Sequence, residues 1–153
     1  MVEGYRFETI PQFVGKDLGS SPWVTIEQAR INAFADATFD HQWIHVDVER
    51  AKKESPFGAP IAHGFLTLSL LSKFLGEVGV LPPDASRAVN AGLTNVRFKA
   101  AVPVDSRVRG TIKLADAQAK GEGRLLVTAA IVVEVEGQKD PALTADMVIM
   151  LFR

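Results

Sequence analysis

The chain has 153 residues, a formal net charge of −1 and 47% hydrophobic residues. That is one domain's worth of chain, residues 1–153, long enough to bury a core without covalent staples. It has no cysteine, which excludes a disulfide framework and thiolate chemistry and fits a cytoplasmic setting, and its charge balance argues against a nucleic-acid binder.

Residues 1–22 are punctuated by Pro11, Gly15, Gly19 and Pro22 and read as loop with one short strand. The start, MVEGYRFETI, lacks a basic segment followed by an apolar one, so no signal peptide is expected. Thr25 with Gln28 three residues later matches a capping box. Ala29, Ile31, Ala33, Phe34 and Ala37 then recur at roughly helical spacing, which predicts a helix ending near residue 38.

Asp40 and His45 follow, five residues apart in DHQWIH. On a regular helix that spacing leaves two side chains roughly 140° apart. If the pair cooperates, a break must fall between them, with Trp43 and Ile44 packed as its anchor. Asp47 is placed to cap a short helix over VERAKKE, and SPFGAP reads as loop.

Residues 64–79 are apolar on nearly every side: Phe65, Leu66, Leu68, Leu70, Leu71, Phe74, Leu75 and Val78. A helix of that kind is buried. Ser69, Ser72 and Lys73 share one face, so something polar, or a cavity, is expected along it. The longest apolar stretch, 65–75, is too short and interrupted to span a bilayer, and no membrane association is expected.

Beyond Pro82 and Pro83 the apolar period switches to two. It runs through 107–114 (Val108, Gly110, Ile112, Leu114), 125–136 (Leu125, Val127, Ala129, Ile131, Val133, Val135) and 143–151 (Leu143, Ala145, Met147, Ile149, Leu151). With 88–99 these make four strands joined by short turns, and strands in succession without helices imply an antiparallel sheet. The class is α+β, with a one-faced sheet and an apolar helix as natural partners.

DHQWIH, followed about twenty residues on by the turn Ala62, His63, Gly64, resembles the MaoC-like dehydratase family. That family includes the (R)-specific enoyl-CoA hydratases, and the nodulation-protein-N-like branch is the closer match. The resemblance runs from about Trp23 to the C-terminus and includes NVRFKAAVPVDSRVRG, residues 95–110. One departure stands inside the motif: many hydratases carry Asn-Pro where this chain has Gln42 and Trp43.

The resemblance implies a hot-dog fold, an antiparallel sheet wrapped around a long central helix. It implies hydration of trans-2-enoyl-CoA to (R)-3-hydroxyacyl-CoA. Asp40 and His45 would hold the water and manage both proton transfers, and the Gly64 N–H would bind the thioester oxygen. Histidine suits proton transfer because its ordinary pKa lies near neutrality. Glycine at a helix start offers a free N–H and lets a substrate approach closely.

Ile61, Ala62, His63, Ser72, Asn90, Gly92 and Arg97 are assigned to the substrate-binding surface. Read alone, an Asp in a loop is a cap or turn residue, and His63 a buttress of the turn. Ser72 matches a family serine near the active site and equally well a structural helix serine. His41 reads as exposed or as a support behind Asp40. Arg97, Lys99, Arg107 and Arg109 are candidates for the coenzyme A phosphates or for a solvated sheet face.

No metal and no redox cofactor is expected, with coenzyme A entering only as part of the substrate. The family further implies a homodimer. Two rival functions are a hot-dog acyl-CoA thioesterase and a non-catalytic acyl-thioester-binding protein. The first wants a carboxylate early on the central helix, where the only acid is Glu77 near its end. The second needs no acid/base pair.

Overall fold

The computed structural model describes residues 2–153. Among these residues six antiparallel strands form one sheet in the order β1-β4-β5-β6-β3, with β2 also on β4. The long strands are β3 (Arg87–Phe98), β4 (Arg107–Ala119), β5 (Arg124–Val135) and β6 (Leu143–Phe152). Along β4, β5 and β6 the residues expected to face inward are all buried, so period two sets both strand identity and face.

The first two strands, β1 (Asp17–Ser20) and β2 (Val24–Thr25), are too short to carry a pattern and are fixed by pairing with β4. Thr25 therefore lies in a strand, opposite Arg107, and does not cap a helix. Helix α1 (Gln28–Thr38) starts at Glu27 with no side-chain cap. Only Ile31 and Ala35 are buried along it, and Ala29, Ala33 and Ala37 face solvent.

Two short helices follow, α2 (Trp43–Val46) and α3 (Val48–Glu54). Asp47 caps α3 as expected, its carboxylate accepting from Arg50 N at 3.0 Å. The expected central helix is divided into α4 (Gly64–Ser69) and α5 (Leu71–Val78), hinged at Leu70. Ser69 Oγ donates back to the Leu66 carbonyl at 2.7 Å, and hydroxyls that bond back onto their own helix bend it. Gly79, at φ 88°, ends α5 in the left-handed region.

The sheet curls around α4 and α5, which is the hot-dog arrangement. Phe74 of α5 is fully buried and sits so close to Gly110 of β4 that a Cβ there would lie 2.8 Å from it. Leu66, Leu71, Leu75 and Val78 complete the buried stripe. The helix is thus not buried all round, for Phe65, Ser69, Ser72, Lys73 and Gly76 lie on its exposed side. No helix among the described residues is long and apolar enough to cross a membrane.

Candidate active site

The break between Asp40 and His45 is real. Helix α1 ends at Phe39, a non-glycine residue at φ 61°, and the chain turns through Asp40 and His41 before Gln42 starts α2. Trp43 and Ile44 are half-buried, and the Trp43 ring lies 4.3 Å below the Arg50 guanidinium. Gln42 engages through its backbone, its N–H approaching Asp40 Oδ1 at 3.4 Å and its carbonyl accepting from His45 N at 3.0 Å.

The segment 60–62 runs between α2 and the chain at 102–104 like a strand. Ile61 N–H donates to Ile44 O (3.1 Å), Ala62 N–H to Val102 O (2.8 Å), and Val104 N–H to Pro60 O (2.9 Å). This fixes the Ile61 carbonyl, which accepts a 2.7 Å hydrogen bond from His45 Nδ1. A carbonyl only accepts, so Nδ1 carries the proton and Nε2 keeps its lone pair. His45 is also held from behind, its carbonyl accepting from Gln28 Nε2 at 2.8 Å.

His45 is buried, and its pKa is lowered from the ordinary 6.5. Desolvation is the chief cause, with His63 beside it lowering it further. The Ile61 bond and the Asp40 charge pull the other way. The result is an imidazole that is uncharged at neutral pH and able to accept a proton.

His63, assigned to the substrate-binding surface or else to buttressing the turn, is only 2% exposed and packs between Phe34 and His45, as a buttress would. Its ring stacks on His45 with centroids 3.8 Å apart. Its Nε2 donates to the Asp40 carbonyl at 2.9 Å and lies 4.0 Å from Asp40 Oδ2, while Nδ1 has no partner among the described residues. His63 therefore pins the Asp40 backbone against His45. The Asp40 side chain is 54% exposed.

Asp40, His45 and His63 each present one ligand-type atom within 4.8 Å of the others. Each ring commits one nitrogen to a backbone carbonyl, His45 Nδ1 to Ile61 and His63 Nε2 to Asp40, and keeps a lone pair on the other. His41, on the outside, approaches Asp36 at 3.7 Å.

A cavity of about 250 Å³ opens beside His45, lined also by Ile61, Ala62, Gly64, Thr67 and Phe98 to Val102. Gly64 begins α4, where the first N–H groups have no helical acceptor. A Cβ on Gly64 would lie 3.0 Å from the Phe98 ring, so any larger residue there would press that ring aside. On the other side of the Phe65 turn, a groove runs between the helix and β3. Its two parts measure about 460 and 490 Å³ and share Ser72 and Asn90. Asp40 stands at one end, and Leu71, Met147, Ile149 and Leu151 are apolar lining along it. The polar face expected along the helix is this groove, although Lys73 itself points out and pairs with Glu77.

The structure thus brings together Asp40, His45, His63, Ile61, Ala62 and Gly64, and puts Ser72 and Asn90 along the adjoining groove. Gly92 lies on β3, where the ladder to β6 is irregular, and Arg97 is exposed, its side chain donating to Val96 O at 2.8 Å. Arg107 and Arg109 are taken up by Glu136 and Glu134 of the neighbouring strand, Arg109 also lying 4.6 Å over Trp23. Two residues were not assigned to the site from the sequence. Gln28, read as half of a capping box, instead shares the face of Ile31 and Ala35 and holds the His45 carbonyl. Thr67 is a polar residue one turn after Gly64 in an otherwise apolar run.

Known proteins share this chain's fold and much of its sequence. The family model described as "MaoC like domain" matches residues 9–136. Nodulation protein N of Rhizobium leguminosarum bv. viciae is 46% identical over 144 residues, covering 93% of this chain and 88% of that protein. The 3-hydroxyacyl-thioester dehydratase Z of Mycobacterium tuberculosis (strain ATCC 25618 / H37Rv) is 48% identical over 135 residues, 88% of each chain. Among solved structures, a monoamine oxidase regulatory protein from Archaeoglobus fulgius superposes with a TM-score of 0.77 at 28% identity, covering 92% of this chain and 90% of that one. With the Asp40–His45 pair beside the Gly64 turn on a hot-dog scaffold, the chain belongs to the MaoC-like dehydratase family.

Proposed function

We propose that this protein is an (R)-specific enoyl-CoA hydratase, adding water to trans-2-enoyl-CoA to give (R)-3-hydroxyacyl-CoA. The observation that carries this reading is the Asp40 carboxylate within 4.8 Å of a His45 ring nitrogen, beside a cavity that contains Gly64. The dehydration named for the mycobacterial relative is the same reaction in reverse.

A water held between Asp40 and His45 Nε2 loses a proton as its oxygen attacks C3, and a proton is delivered to C2. The ring bond to Ile61 sets which nitrogen takes part. The enolate oxygen that forms between these events receives the Gly64 N–H. The acyl chain occupies the apolar groove beside β3, the protein works without a metal, and two copies associate through β3. The thioesterase reading finds no support in Glu77, which is paired with Lys73.

The test is hydration of trans-2-enoyl-CoA of several chain lengths in the presence of a chelator, with chiral analysis of the product. Asp40→Asn and His45→Gln should each lower turnover about 100- to 10,000-fold while Tm holds. Because both act on one water, the double variant should be little worse than the poorer single. Near-normal turnover in well-folded Asp40→Asn would sink the mechanism, and activity restored by zinc after chelation would sink its metal-free form.

A further inference from the structure

Thr67 sits one turn into the helix that Gly64 opens, is 2% exposed, and its hydroxyl has no hydrogen-bond partner among the described residues. A threonine inside a helix ordinarily satisfies its hydroxyl on the carbonyl a turn back. Here the His63 carbonyl receives only the Thr67 N–H, at 3.2 Å. A buried hydroxyl without a partner destabilises a fold, and valine would fill the same space without that penalty. The hydroxyl is therefore free to take a partner from the cavity that Thr67 lines.

Its direction narrows what that partner is. Helical side chains lean toward the N-terminus of their helix, so Thr67 is aimed back at the first turn. Thr67, Gly64 and His45 line one cavity, whereas Asp40 lines the adjoining groove. The hydroxyl is thus grouped with the free N–H of Gly64 and set apart from the carboxylate that holds the water.

We propose that Thr67 Oγ1 is a second donor to the thioester carbonyl oxygen, beside the Gly64 N–H. The inference rests on the hydratase reading for its kinetic consequence and on the cavity alone for its ligand. Thr67 keeps its proton throughout. The water oxygen bonds to C3, its proton passes to the acid/base pair, and the charge that moves onto the thioester oxygen is held between O–H and N–H until C2 is protonated.

The experiment compares wild type, Thr67→Val and Thr67→Ser in three measurements: hydration of crotonyl-CoA, calorimetric binding of the unreactive thioester butyryl-CoA, and Tm. Thr67→Val should lose about 100-fold in kcat and roughly three- to tenfold in butyryl-CoA affinity, with Tm unchanged or raised. Thr67→Ser, which keeps the hydroxyl, should stay near wild type in all three. A Thr67→Val protein equal to wild type in kcat and affinity overturns the proposal. So does one whose losses follow a fall in Tm. A wild type that binds butyryl-CoA through Thr67 but hydrates no enoyl thioester would leave this assignment standing and remove the hydratase reading. One that neither binds nor hydrates would remove both.

Discussion

His45 draws its chemistry from four neighbours, each with a separate effect. Ile61 O sets the tautomer, Gln28 holds the backbone, His63 stacks on the ring, and Asp40 supplies a charge. Because the folded protein lowers the His45 pKa, folding favours the uncharged ring. Its contribution to stability is complete above the ordinary 6.5 and is lost as pH falls from there through the folded value. The acid limb of kcat/KM should therefore lie below pH 6.5. NMR titration of the His45 ring should give the same midpoint, and Asp40→Asn should move it lower still, since the Asp40 charge raises it. A His45 midpoint above 6.5, or one that rises in Asp40→Asn, would contradict this electrostatic account.

The elements that were readable in advance are those whose burial follows a simple period. Strands β4, β5 and β6 each bury alternate residues, and Asp47 caps α3 by a bond three residues away. The break after Asp40 could be inferred because a regular helix would hold the two side chains of the pair roughly 140° apart. What could not be read depends on partners distant in sequence. Thr25 is taken into a strand by Arg107, and Gln28 spends its side chain on His45, 17 residues on. The stacking of His63 on His45 needs the 60–62 rung as well as the turn. Gly110 is of the same kind: a mid-strand glycine whose reason lies in α5. Its missing Cβ admits Phe74, so Gly110→Ala should force a fully buried ring aside and cost about 1–3 kcal/mol. That should lower Tm by several degrees without changing the KM of whatever activity remains. Denaturant melts will check it, and an alanine variant as stable as wild type would mean that helix and sheet can separate freely.

The molecule as a whole leaves one side unfinished. Among the described residues strand β3 pairs with β6 alone, and its other edge is free along 12 residues, almost all of them exposed. A long free edge invites another strand, and soluble proteins usually blunt one with charge or cover it. Here Val89, Leu93 and Phe98 are 51%, 44% and 51% exposed, and Phe65 of α4, 68% exposed, lies against Phe98 with ring centroids 5.8 Å apart. The groove that begins at Asp40 is bounded by this same strand, so whatever covers β3 also closes the site. A second copy of the chain is the expected cover, antiparallel edge to edge. Light scattering at micromolar concentration should then give twice the 16.6 kDa of one chain. Val89→Lys with Leu93→Lys should bring the mass down to one chain, expose the groove and remove most hydration together. A wild-type mass of a single chain would refute the dimer. A monomeric lysine variant with full activity would show that each copy completes its own groove.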